Sequence, residues 1–123
     1  MDLDQCPCSG KSLARLVQPA VMAVLAKGSA HGYAIVREVG NLTAFHGQAP
    51  DPTGVYRVLK TMEDRSLVVS RWDLADAGPA RRCYELTEAG RDCLREWSRT
   101  LEQYRQAVTA LLRLIRPAAG GGQ

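Results

Sequence analysis

One apolar seam in the last third of the chain constrains the fold more than any other feature. Leu94, Trp97, Leu101, Tyr104, Val108, Leu111 and Ile115 follow one another in steps of 3, 4, 3, 4, 3 and 4. On an α-helix this spacing puts all of them on one side, the heptad pattern of helices that pack along their length. Thr87 is the natural N-cap in front of the run, and Pro117 with Gly120, Gly121 and Gly122 marks where order should end. The predicted helix of about 29 residues is longer than a small domain can cover. Its seam needs a second helix, and a second copy of the chain supplies one most simply.

The chain is 123 residues long, with hydrophobic residues at 46% and charged residues at 24%. That length suits one domain and excludes barrel enzymes and two-domain cofactor enzymes. The apolar run from Pro19 to Ala26 falls well short of the roughly 18 residues of a membrane span. The acidic start, Met1 to Asp4, has no apolar segment behind it, so no secretory leader, no membrane partner and a cytoplasmic location are expected. The net charge is only +3, and 13 of the 16 basic residues are arginine, which suits bidentate contacts to phosphates or carboxylates. Residues 51–86 balance six bases against six acids. A nucleic-acid partner would therefore be held by a few placed side chains and not by a general field.

Ahead of the seam the order is helical. Leu13, Leu16, Val17, Ala20, Val21, Val24 and Leu25 follow helical spacing, with Pro19 either kinking one helix or opening a second, and Lys27-Gly28 as the stop. Ser29 is the expected N-cap of a short second helix through Val39, with Ala30, Ile35, Val36 and Val39 on its apolar side. A loop from Gly40 to Pro50 carries the apolar anchors Leu42 and Phe45. Asp51-Pro52 then opens a third helix reaching about Arg65, the clearest helix start in the sequence. Val55, Val58, Leu59 and Met62 form its inner stripe, and Thr53, Tyr56, Arg57, Lys60 and Asp64 its outer one. Leu67–Asp73 and Arg81–Leu86 read as the strands of a β-hairpin around Gly78-Pro79.

Three helices, a hairpin and a long helix make a mainly α protein with a small β-hairpin, the α+β order of a winged helix-turn-helix with a C-terminal dimerisation helix. In that arrangement the third helix enters the major groove of double-stranded DNA. Thr53, Tyr56, Arg57 and Lys60 would face the bases, and Arg57 has the fork that matches guanine. The amides near Asp51, Pro52 and Thr53 could approach a phosphate, with Gly54 allowing close approach. Arg71, Arg81 and Arg82 lie where a wing would meet phosphates. Periodicity by itself fits a solvated surface helix or a winged-helix protein-interaction module without DNA binding equally well.

Three motifs sharpen this. His31-Gly32-Tyr33-Ala34-Ile35 resembles the second-helix signature of the PadR-like transcriptional regulators. Pro52 to Leu59, followed by Met62 to Val68, resembles their third helix, and Gly78 to Gly90 resembles their wing and the start of their last helix. The resemblance covers about residues 13–116. It implies a homodimeric repressor that binds palindromic operators through the third helix and wing, and that effector compounds release in some members. Where the family commonly reads Pro-Gly-Thr-Leu-Tyr, this chain reads Pro52-Thr53-Gly54-Val55-Tyr56, and Cys83 replaces the aromatic residue usual before Tyr84. Some members stack flat compounds on a tryptophan of the last helix. Trp97 invites that effector reading but stands about one turn earlier, on the seam, where plain packing explains it.

Cys6-Pro7-Cys8 is foreign to the family pattern. Two thiolates so close can chelate a soft metal such as zinc, but a tetrahedral site needs further ligands from Cys83, Cys93, a histidine or a partner chain; the resemblance, which implies a first helix near the partner's last helix, makes Cys93 the more reachable. A thiol- or metal-responsive regulator and a set of ordinary reduced thiols both fit; no cofactor is required. His31 and His46 are not spaced as a metal pair, a structural hydrogen bond is expected of His31, and no catalytic arrangement is discernible. The expected organisation is a flexible lead-in at 1–11, a DNA-binding domain at 12–86, a dimerisation helix at 87–116 and a disordered tail at 117–123.

Overall fold

The computed structural model describes residues 15–42, 45, 49–74 and 78–120. It contains α1 (Val17–Ala26), β1 (Ala30–His31), α2 (Gly32–Gly40), α3 (Pro52–Asp64), β2 (Val68–Asp73), β3 (Arg81–Leu86) and α4 (Glu88–Ala118). The chain is thus mainly helical, with a small antiparallel sheet. The three strands lie in the order β1-β3-β2. Within the hairpin Val68 pairs with Leu86, Ser70 with Tyr84, Trp72 with Arg82 and Asp73 with Arg81.

Several sequence expectations shift in detail. Pro19 does not kink a longer helix: it lies in the first turn of α1, where a missing amide costs no helical hydrogen bond. The second helix is not capped by Ser29. Ala30 and His31 instead form a short strand that pairs with Tyr84 and Cys83, and His31 becomes the N-cap of α2. Two residues carry too little alternation to announce a strand, and the pairing is set by the neighbouring strand. The hairpin is therefore part of a three-stranded sheet. Pro117 does not end the last helix. The final turn carries it, with the amide of Ala119 still reaching the carbonyl of Ile115.

The core is where the inner stripes meet. Val21, Met22 and Leu25 of α1, Ile35 and Val39 of α2, and Val55, Leu59 and Met62 of α3 are all but sealed, and Val68, Tyr84 and Leu86 close it from the sheet. Phe45 plugs the α2–α3 connection, as its apolar character suggested, and Leu42 packs beside it.

The direction of α4 is fixed at one junction. α3 ends with Ser66 in the left-handed region at φ 61°, the amide of Leu67 bonding Met62 O at 2.8 Å and that of Ser66 bonding Glu63 O at 3.0 Å. This is the paired hydrogen-bond ending usually built on glycine. The Thr87 hydroxyl donates to Ser66 O at 2.7 Å and accepts from the Gly90 amide at 3.0 Å, so one side chain ties the turn to the helix start. The Thr87 amide bonds Leu67 O at 3.1 Å. Gly90 then lies directly under that carbonyl: a Cβ there would sit 2.1 Å from Leu67 O. No side chain fits without moving backbone. Gly90→Ala is expected to destabilise the chain by about 2 kcal/mol or more, at the upper part of the usual overpacking range. Urea unfolding followed by circular dichroism measures it, and wild-type stability would show that the junction yields.

Candidate nucleic-acid interface

α3 presents its outer stripe as the sequence spacing requires. Thr53, Arg57 and Lys60 are exposed and Tyr56 is partly so. Tyr56 is not a free reader: its ring lies over the start of α2, where a Cβ on Gly32 would come within 2.7 Å of it. Gly32 is thus a seat for the ring, which packs at the α2–α3 contact while 44% of Tyr56 stays exposed. Lys60 Nζ lies 3.4 Å from Asp64 Oδ1, one turn along. Among the described residues Arg57 takes no carboxylate partner.

The start of α3 departs from the expectation of a phosphate cradle. The Asp51 carboxylate accepts the Thr53 amide at 3.0 Å, and the Asp51 carbonyl accepts the amides of Gly54 and Val55 at 2.9 and 3.2 Å. Pro52 has no amide to offer. The N-cap that makes this helix start so legible also occupies its donors and adds a negative charge there. What remains for an anion is the exposed Thr53 side chain, with Gly54 beside it.

The two faces of the hairpin do different work. On the face toward α3, Arg82 donates to Glu63 Oε1 and Oε2 at 3.1 and 3.2 Å and to Ser70 Oγ at 2.8 Å. Ser70 in turn donates to Glu63. The Arg82 guanidinium carbon stands 5.7 Å from the Trp72 ring centre and 6.0 Å from that of Tyr84. Burial pushes the Tyr84 phenol above its ordinary range, Arg82 opposes that, and Glu63 adds to it. In the free chain Arg82 is thus engaged by Glu63 and Ser70, with 44% of its side chain still exposed.

The other face is tied to α2. His31 Nε2 and Asp73 Oδ2 are 3.1 Å apart, the structural hydrogen bond expected of that histidine. The His31 ring stacks on Tyr33 at 5.9 Å. Arg81 Nη1 donates to the Tyr33 hydroxyl at 3.1 Å, and the guanidinium carbons of Arg81 and Arg37 stand 5.3 and 6.0 Å from the Tyr33 ring centre. Arg71 is exposed on the same face. Tyr33 and Arg37 belong to this cluster and were not among the candidate residues read from the sequence. Their spacing of four on one helix was a usable signal, since such residues are neighbours on a helix surface. Among the described residues neither Arg37, Arg71 nor Arg81 takes a carboxylate partner within ion-pair distance, so three arginines line this side of α2 and the wing, with the Asp73 carboxylate held by His31 among them.

The heptad seam divides in two. Leu94 and Trp97 pack against the domain's own core together with Cys93. From Leu101 to Ala118 every residue is exposed. Leu101, Tyr104, Val108, Leu111 and Ile115 therefore stand bare along about 21 Å of helix, at 1.5 Å per residue. Trp97 also lines a cavity of about 140 Å³ with Cys93, Glu96 and Thr100. Cys93 Sγ lies 3.9 Å from Gln18 Nε2, at the α1–α4 contact, and Cys83 is buried. Cys6, Cys8 and His46 lie outside the described residues.

Residues 21–96 match the profile of the Transcriptional regulator PadR-like family. A protein of Thermoplasma acidophilum described as a transcriptional regulator superposes with a TM-score of 0.70 at 28% identity, over 84% of this chain and 96% of that one. A PadR family transcriptional regulator of Eggerthella lenta gives 0.65 at 27% identity, over 85% and 92%. A PadR family transcription regulator of Clostridium difficile gives 0.67 at 21% identity, over 79% and 98%, and so shares the fold. Among curated proteins none matches the chain.

Gly54 offers a simple check of the site's surroundings. A Cβ there would meet nothing within 4 Å. Gly54→Ala is expected to stabilise the free protein by about 0.5–1 kcal/mol through helix propensity. Urea unfolding reads this, and a loss of stability would mean that the outer face of α3 is already covered.

Proposed function

The chain belongs to the Transcriptional regulator PadR-like family, and from that premise we propose that it is a homodimeric repressor that reads a palindromic operator and is released by an effector. The observation that carries the DNA-reading part is the exposure of Arg57 on the outer face of α3, where among the described residues it takes no carboxylate partner. Arg57 is the base reader, since its fork suits guanine O6 and N7 in the major groove. Lys60 and the Thr53 hydroxyl flank it. Arg81 and Arg37, held over Tyr33, meet the phosphates, with Arg71 two residue pairs back from the Asp73–Arg81 end of the wing.

The dimer follows from the bare part of α4. Five large apolar residues at heptad spacing on an exposed helix match the seam of a second identical helix. A helix pair of this kind would set two reading heads about one DNA turn apart. The modest charge of +3 per chain, doubled in the dimer, suits a reader that depends on placed contacts and dissociates readily.

A gel shift with the promoter of the chain's own gene against a random duplex tests the reading. Arg57→Ala is expected to weaken operator binding about tenfold and random binding little, as for loss of one bidentate base contact. Arg81→Ala should weaken both alike and lower the salt slope by about 1. Equal losses on the two duplexes for Arg57→Ala would contradict its assignment. For the dimer, Val108→Glu with Leu111→Glu should turn a sedimenting dimer into a monomer with the domain still folded. A dimer surviving both substitutions would place the interface elsewhere.

A further inference from the structure

The hairpin is attached to α3 by a polar cluster that its strand pairing alone does not require. Glu63 lies in the last turn of α3, while Ser70 and Arg82 lie on neighbouring strands and on the same side of the sheet. All three meet: Arg82 bonds both carboxylate oxygens and Ser70, and Ser70 bonds the same carboxylate. The two-point contact to Glu63 fixes orientation as well as distance. The rings of Trp72 and Tyr84 stand beside the guanidinium and restrict it further. A negative side chain held next to a DNA-reading surface is electrostatically unfavourable there, so its presence calls for a compensating role.

We propose that Glu63 is a positioning residue: through Arg82 and Ser70 it locks the wing to the end of the reading helix, so that both meet DNA as one rigid body. This rests on the DNA-reading function proposed above. The consequence is a sign that simple electrostatics does not give. If Glu63 only repels phosphates, removing its charge frees Arg82 and tightens binding to every duplex. If it positions the wing, removing its charge loosens the geometry that the operator selects and leaves non-specific attraction intact.

The test compares the wild-type chain with Glu63→Gln and Arg82→Gln on operator and random duplexes over a range of salt. Glu63→Gln is expected to lower operator affinity about threefold to fivefold, the scale of a partly exposed ion pair, with random binding unchanged or slightly tighter. Arg82→Gln should lower the operator-to-random ratio by a similar factor with no change in salt slope, and the double variant should be no worse than either single one. Tighter operator binding by Glu63→Gln overturns the proposal. So does a salt slope lower by about 1 in Arg82→Gln, which would mark a lost phosphate contact.

A DNA-free arm separates this from failure of the DNA reading. In a Trp97→Phe background, 5-fluorotryptophan at position 72 reports the ring beside Arg82. Glu63→Gln should shift its fluorine resonance and speed amide exchange across β2 and β3, while the melting temperature changes little. An unmoved resonance and unchanged exchange overturn the clamp whatever the DNA result. If the wild-type chain binds neither duplex, the DNA reading falls, and the fluorine and exchange data alone decide whether Glu63 holds the wing.

Discussion

The meeting of Gly90 with the carbonyl of Leu67 is the constraint on which the rest of the structure depends. It lets the last helix start directly under the turn that joins α3 to the hairpin. Thr87 bonds both sides of that joint. α3, the hairpin and α4 therefore converge within a few residues, and backbone contact as well as side-chain packing fixes where α4 starts. Ser66 in a left-handed conformation costs about 1 kcal/mol relative to glycine there. Its carbonyl is one of the groups that Thr87 holds, so the strained turn belongs to the joint.

From that joint outward, the wing is held from both sides. Arg82, Glu63 and Ser70 tie it to α3, while His31, Asp73, Tyr33 and Arg81 tie it to α2. The Tyr56 ring packs over Gly32 where the two helices meet. Each of these contacts is partly exposed and individually small. Their value lies in geometry: under the proposed function, a DNA reader with little net charge gains selectivity by presenting few groups in a fixed arrangement.

Much of this was legible in the sequence because local signals agreed with the global fold. Asp51-Pro52 announced α3, the inner stripe from Val55 to Met62 is the one that is buried, and Val68, Tyr84 and Leu86 seal the core as strand residues should. The long helix and its N-cap Thr87 were readable from spacing alone. What was not legible depends on tertiary neighbours. The strand Ala30–His31 exists because β3 lies beside it. The roles of Arg82 and Tyr56 depend on Glu63 and Gly32, which lie far from them in the chain. The two halves of the heptad seam are identical in pattern, yet Leu94 and Trp97 are covered by α1 and the remainder is bare. Composition and period carry no information on which neighbour arrives.

Under the proposed function two copies, joined along α4, place two reading heads on one face of a duplex. Hydroxyl-radical footprinting of the promoter of the chain's own gene tests it most directly, with the bound stoichiometry measured on the same duplex. The expected result is two chains per site and two protected patches related by a dyad, centred about one helical turn apart. A single protected patch with one chain bound, or uniform protection without a dyad, would contradict it.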